Sequence, residues 1–289
     1  MTGALCAEKG GRAAMDCVAR REEFPALAKL FVDSFGGTGQ FAMSVLEDFA
    51  GEGNVFAARQ DGVCTALLCA VPVTLYGREG AYYYGLTTRQ SQRGTGVMTA
   101  LMDAAGQELA RRGAAFAALI PANAPLFDFY AKRGFEKAFS KRVLRRPVRN
   151  NLWAQAEFDT VTAKGLQQLR RKYAPNAVEL NAAGYTAVLT DLYSLGVTSV
   201  CSEEGYGLFF KKGNEMRFVE LFAGSDRAAM ALLEAARQKT GAEDAVLELG
   251  GSQALFLGEG AARDYGMIRF FDQPFDVRDA YMRLMLDDE

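Results

Sequence analysis

The chain has 289 residues, of which 49% are hydrophobic and 24% charged, with a net charge of −2; this supports a packed core and argues against a disordered polymer. Histidine is absent, which removes the commonest general base, the serine–histidine and cysteine–histidine devices and the usual zinc ligands, so no metal site is expected. Residues 1–150 hold 19 Lys+Arg against 14 Asp+Glu, and the remainder 14 against 21, a mildly positive half that suits an anionic small ligand and is too weak for nucleic acid.

No apolar run reaches the ~18 residues of a membrane span, and the start, MTGALCAEKGGRAAMDC, lacks the apolar block of a signal peptide. The five cysteines (Cys6, Cys17, Cys64, Cys69, Cys201) are odd in number and show no CxxC pair. Reduced thiols in a cytoplasm fit that pattern better than a disulfide framework. Cys64 and Cys69 fall in apolar strand sequence and read as inert buried thiols.

Taken in chain order, residues 22–36 carry apolar residues at helical spacing and end at a glycine pair, and 41–51 read as a second short helix. Two strands follow, joined by a turn at Asp61–Gly62, and GAYYYGLTTRQ adds a third. Along it Tyr83 opposes Tyr82 and Tyr84 across the sheet. Residues 96–113 form an amphipathic helix closed by glycine, and 114–121 a buried strand. Residues 124–134 are a short helix stopped at Gly134, and FEKAFSKRVLRR is a final strand. This order gives an α/β fold with a mixed sheet whose parallel part flanks the long helix. The basic run KRVLRRPVR (141–149) reads as a solvated strand edge leading into a linker, which sets domains at 1–147 and 148–289. Trp153, the only tryptophan, is expected to anchor packing after the linker.

The second half repeats the order of residues 82–140: a hairpin, a capped helix (SDRAAMALLEAARQKTG), a strand, then a short helix or turn and a last strand. Its helix entrance reads AGSD where the first reads RGTG.

That entrance carries the chemistry. A helix leaves its first N–H groups without internal partners and concentrates partial positive charge there. Gly94 and Gly96 remove side chains from the approach, and Arg93 adds a charge-assisted donor, so QRGTGVM is built to cradle a diphosphate. It lacks the Gly-Lys-Ser/Thr end of a P-loop and the third glycine of the dinucleotide fingerprint.

The stretch LTTRQSQRGTGVMTALM resembles the acetyl-CoA motif of the GNAT acyltransferase superfamily, with Met98 in place of its last small residue. LIPANAPLFDFYAKRGF resembles the later GNAT segment, in which a tyrosine precedes Gly-Phe, here Tyr130, Gly134 and Phe135. The resemblance implies a GNAT fold, tandem with a degenerate, cofactor-free GNAT-like second domain that shapes the acceptor site. It implies acetyl-CoA held by the strand backbone at Leu86, Thr87 and Thr88, by the cradle Arg93, Gly94, Thr95, Gly96, Val97, Met98 and Thr99, and by Asn123. Tyr130 would protonate the departing thiolate. The implied reaction is acetyl transfer from acetyl-CoA to a primary amine of a small molecule or peptide. A non-catalytic CoA-binding protein and an enzyme using a bulkier acyl-CoA are the alternatives. No nucleic-acid or membrane partner is expected, and a homodimer is the family's expectation. With histidine absent, Glu47, Asp48, Glu79 or a water chain stand as candidate bases.

Overall fold

The computed structural model describes residues 17–286; Cys6 and the glycine- and alanine-rich start lie outside them. Helix α1 (Phe24–Phe35) buries Phe24, Leu27, Leu30 and Phe31 on one face and stops at Gly36, φ +81°. Thr38 caps α2 (Gly39–Ser44) by accepting from the Phe41 amide, and the chain continues as a π-helical turn, Val45–Ala50. The single helix expected at 41–51 is thus two differently wound segments. Asp61 and Gly62, both at positive φ, reverse the chain between β1 (Val55–Gln60) and β2 (Val63–Leu75), which pair antiparallel. Such a left-handed pair matches the twist of the strands it joins. β3 (Arg78–Thr88) returns beside β2. Helix α3 (Val97–Arg111) then carries the chain to β4 (Phe116–Leu119), parallel to β3. After α4 (Ala124–Ala131) comes β5 (Glu136–Pro147).

Three elements had no counterpart in the sequence reading: α5 (Ala163–Tyr173), α6 (Ala182–Ser194) and β7 (Thr198–Ser202). They accompany a two-residue β6 (Glu179–Leu180). β8 (Gly205–Lys212), β9 (Glu215–Ala223), α7 (Asp226–Thr240) and β10 (Asp244–Gly250) are as expected, whereas the helix-like segment expected to end at Tyr265–Gly266 is instead part of the continuous strand β11 (Ala262–Phe270). Among the described residues no helix is long and apolar enough to cross a membrane.

The chain divides into two compact units, Met1–Glu136 with Met267–Phe275, and Lys137–Gly266 with Asp276–Glu289. In the first, strands run β1-β2-β3-β4, and Met267–Phe270 of β11 adds antiparallel to β4. In the second the order is β5-β10-β9-β8-β7, with β9 and β10 parallel and α7 between them in sequence. β9–α7–β10 therefore repeats the layout of β3–α3–β4. Each unit buries its own core. Leu101, Met102, Ala105 and Leu109 of α3 pack on Phe56 and Tyr83, and Leu232, Leu233 and Ala236 of α7 pack on Phe209, Phe218 and Leu247.

The basic run is not the solvated edge expected of it. Lys141 to Pro147 pair with β10 from Gly250 to Asp244, and β11 flanks β5 on its other side, so the strand carrying the run is not a sheet edge. Arg142 is 1% exposed and donates to the carbonyls of Gln253, Leu255 and Glu259. A strand partner a hundred residues away leaves no local signal, so alternating charge alone suggested an edge. Trp153, expected as a packing anchor, is 88% exposed.

One ion pair of the first unit gives a pH prediction. Arg59 grips Glu23 with both forks, Nε to Oε1 at 2.6 Å and Nη2 to Oε2 at 2.5 Å. This holds the Glu23 carboxyl at about 2, below its ordinary 4.5. A depressed carboxyl stabilises the fold above its unfolded pKa and loses that contribution as pH falls through the folded one. Glu23→Gln should therefore be less stable than wild type near neutrality, with the gap closing between pH 4.5 and 2. Urea unfolding at several pH values measures it; a gap that does not narrow on acidification contradicts the assignment.

Candidate active site

β3 and β4 begin as neighbours and then part. Their parallel register runs only from Gly80↔Phe116 to Tyr82↔Ala118; β4 ends at Leu119 while β3 continues to Thr88. On the other edge of β3, the register with β2 skips from Cys69↔Tyr84 to Leu67↔Thr87, a bulge holding Gly85 and Leu86. Gly85 has φ +63°, and a Cβ there would stand 2.9 Å from the Phe31 ring, so the turn and the close approach of α1 both need glycine. Beyond Tyr82, then, β3 runs past the end of its parallel partner. A strand edge of that kind pairs with an extended amide-bearing ligand through its backbone.

The tyrosine run sorts by face as its alternation requires. Tyr82 and Tyr84 stack at 6.1 Å, and Tyr84 meets Phe31 and Phe49. Tyr83 points the other way into the α3 core, within reach of Gly106. The sequence-predicted strand residues divide likewise. Leu86 packs into the α3 core, the buried Thr87 shares a hydroxyl hydrogen bond with Ser34 of α1, and Thr88 accepts at its carbonyl from Arg93 Nε at 3.2 Å. With the Thr87 side chain committed to α1, a ligand would meet this residue at its backbone.

The mouth of α3 follows directly. Gly94 (φ +78°) and Gly96 (φ +87°) are both left-handed, and nothing lies within 4 Å of where a Cβ would project at either. Among the described residues four helices are capped by side chains: Thr38, Thr162, Asn181 and Ser225 each accept from a first-turn amide. At α3 the N-cap is Gly96 and no side chain caps the helix. Its first amides lack the usual side-chain acceptor, the arrangement an anion exploits. Thr95 turns its hydroxyl back to the Gln92 carbonyl at 2.7 Å, tightening the approach loop. Arg93 is exposed; with its Nε on Thr88, its terminal nitrogens have no partner among the described residues. Val97 and Met98 are half-buried against the α3 core.

The Thr99 side chain is engaged elsewhere. Its hydroxyl accepts from Arg133 Nε at 2.8 Å, and that guanidinium also lies 3.4 Å from the Phe129 ring centroid and donates to the Phe129 carbonyl at 2.5 Å. The side chain thus ties α3 to α4, leaving only the Thr99 backbone for the cradle. The tie sets α4 beside the mouth. Asn123 stands at the N-cap of α4, exposed, with no cap hydrogen bond from its side chain. Tyr130 is buried to 7%, packed on Phe129 and Phe135 at 5.2 and 5.8 Å, in the same apolar cluster as Leu86, Val97 and Met98. Its hydroxyl has no hydrogen-bond partner among the described residues. Burial pushes its pKa up to about 12, opposed weakly by Arg133. The phenol stays protonated across the physiological range and has a proton to donate.

The candidate bases fare less well. Glu47 ion-pairs with Arg21 at 3.4 Å, and Asp48 accepts from Ser44 at 2.7 Å. Glu79 lies at the far end of β3, paired with Thr74 and about 30 Å along the strand from Thr88. Burial pushes the Cys69 thiol up to about 12, and burial foremost, then Glu23, raises Cys64; neither is a ready thiolate.

The second unit repeats the parting strands but fills the gap. The β9–β10 register ends at Phe218↔Leu247, short of both strand ends. There the Gln253 carboxamide accepts from the Gly250 amide at 2.5 Å and donates to the Leu221 carbonyl at 3.0 Å, bridging the two strands. Sequence reasoning passed over Gln253, because a lone glutamine after a strand carries no pattern. An open cleft of about 310 Å³ lies beside it, with Ser225 and Asp226 at the α7 mouth. A carboxylate there opposes a diphosphate.

Residues 18–138 match the family model of the acetyltransferase (GNAT) domain, a stretch ending within β5. No curated protein sequence matches the chain. Among solved structures, a GCN5-related N-acetyltransferase from Anabaena variabilis ATCC 29413 superposes with a TM-score of 0.70 at 17% identity, covering 89% of this chain and 72% of that one. A GCN5-related N-acetyltransferase from Kribbella flavida gives 0.67 at 16%, covering 88% and 71%. At such identities the likeness speaks for the fold.

Proposed function

We propose that the first unit, whose residues 18–138 match the acetyltransferase (GNAT) domain model, transfers an acetyl group from acetyl-CoA to a primary amine. The observation that carries this is the uncapped mouth of α3 set at the end of the parted β3, with the Tyr130 ring in the same cluster as Leu86 and Met98. The diphosphate would take the amides from Gly94 to Thr99 and the terminal nitrogens of Arg93. The pantetheine arm would lie along Leu86–Thr88 in the place β4 vacates, with Asn123 at its rim. A neutral amine attacks the thioester carbonyl, main-chain donors at the β3 bulge meet the oxyanion, and collapse breaks the C–S bond. Tyr130 gives the leaving thiolate its proton, and the proton that the amine nitrogen sheds passes through water to restore the phenol. Alignment of the two reactants supplies a large share of the acceleration. The second unit, with Gln253 across its gap and Asp226 at its helix mouth, is read as a cofactor-free companion.

Arg93→Ala tests the cradle. The residue is exposed and, among the described residues, its side chain bonds to one carbonyl alone, so stability should change by no more than about 0.5 kcal/mol. Loss of a charge-assisted bond to a diphosphate should weaken acetyl-CoA by about 1.5–3 kcal/mol, roughly ten- to a hundredfold in Kd. Calorimetric titration beside thermal melting measures both; equal losses in the two would make Arg93 a structural residue.

A further inference from the structure

The diphosphate mouth and the α3 core occupy one face of β3, the face to which Tyr83 points. A carrier threaded through the gap from that side leaves the opposite face for the acceptor. On that face the wall is aromatic. Phe31 of α1 touches the bulge at Gly85 and lies 4.8 Å from Phe35, 6.2 Å from Phe41 and 6.0 Å from Tyr84, ring centroid to centroid. The rings lead outward from the bulge to Phe35, which is 55% exposed, where α1 gives way to the glycine pair. Thr87 and Ser34 close the wall against the sheet by their mutual hydrogen bond.

The carboxylates of the segment 24–50 are Asp33, Glu47 and Asp48, and each is matched locally. Lys29 holds Asp33 at 3.3 Å, Arg21 holds Glu47 and Ser44 holds Asp48. A polycation entering here would shed water without gaining a carboxylate partner. A monoamine with an apolar or aromatic body gains burial against the rings, and its ammonium is drawn to their faces. Desolvation at the same wall lowers the amine's pKa and favours the neutral nucleophile the reaction needs.

We infer that the acceptor is an arylalkyl or similarly apolar primary monoamine, its body seated on the exposed Phe35 and the half-buried Phe41 and Tyr84, with the buried Phe31 behind them, and not a polyamine or an aminoglycoside. This rests on the acyltransferase reading for its chemistry but on the ring geometry for its binding, and the two are separable. The full chain is titrated with 2-phenylethylamine and with spermidine, with and without CoA, as wild type and as Phe35→Ala; thiol release from acetyl-CoA is followed with the same amines.

The expected result is saturable binding of 2-phenylethylamine that Phe35→Ala weakens about tenfold, seen in turnover as a raised KM with kcat kept. Phe35 is already more than half exposed, so its truncation leaves folding intact, and unchanged acetyl-CoA affinity confirms that. Preference for spermidine, no saturable binding of 2-phenylethylamine, or indifference to Phe35→Ala overturns the inference. Acetyl-CoA failing to bind while the aromatic amine still binds through Phe35 overturns the acyltransferase reading instead.

Discussion

Tyr130→Phe should lower turnover by about a hundredfold or more while leaving acetyl-CoA affinity within about twofold, the signature of a group used only in the transition state. The substitution removes one oxygen that bonds to nothing among the described residues and keeps the ring packed edge-to-face against Phe129 and Phe135, so stability should hardly move. The elevated pKa, about 12, adds a pH signature. The thiolate's proton donor stays loaded throughout the working range, so kcat/KM should rise as the acceptor amine deprotonates, with no descending limb from Tyr130 short of strong alkali. Steady-state kinetics against pH in both proteins settles this. Unchanged turnover in the variant would make Tyr130 a core aromatic and no more. Tight acetyl-CoA binding with no turnover in wild type would favour a carrier-binding protein without chemistry.

Much of the first unit was legible because its signals are local. Asp61–Gly62 can only reverse the chain one way between two apolar runs. Gly94 and Gly96 before an amphipathic helix declare a bare mouth whatever surrounds it. Tyr82, Tyr83 and Tyr84 sort themselves by the two-residue period of a strand. Failures came wherever a partner stands far off in sequence. Nothing near Lys141–Pro147 announces a strand at 244–250, so a buried Arg142 looked like a solvated one. The tie from Arg133 to the Thr99 hydroxyl, thirty-four residues back, has no local mark in the sequence and went unread. Residues 151–204 carried two helices that went unassigned, since polar α5 has few apolar positions to set a period. Gln253 lies at the opposite extreme. Its whole meaning is the gap it spans, and a gap is not written in any one strand.

Glu220→Ala should cost the second unit about 3–5 kcal/mol, because it strands a buried cation. Glu220 follows Phe218, the last residue of β9 paired with β10, by two places, as Tyr84 follows Tyr82 in the first unit. The repeat thus puts a carboxylate where the first copy has a phenol ring. That carboxylate is fully buried and accepts from the Tyr206 hydroxyl, from Arg170 Nη1 at 3.3 Å and from the Tyr281 hydroxyl at 3.4 Å. Arg170, equally buried, donates on to the carbonyls of Arg283 and Val178. Burial works against the guanidinium charge, yet the Glu220 carboxylate outweighs it and holds the pKa above its ordinary value. Removing the carboxylate leaves that charge with carbonyls alone. Replacing both partners, Glu220→Leu with Arg170→Met, should recover most of the loss, since paired removal spares both desolvation costs. Urea unfolding of the two variants discriminates. If the single change costs no more than the double one, the pair is dispensable packing and the second unit's core does not depend on its charges. If the double change restores the fold, the buried ions are not what holds the second unit together, and Gln253, which donates to the carbonyl of Leu221 next to Glu220, becomes the natural next truncation to measure by the same unfolding assay.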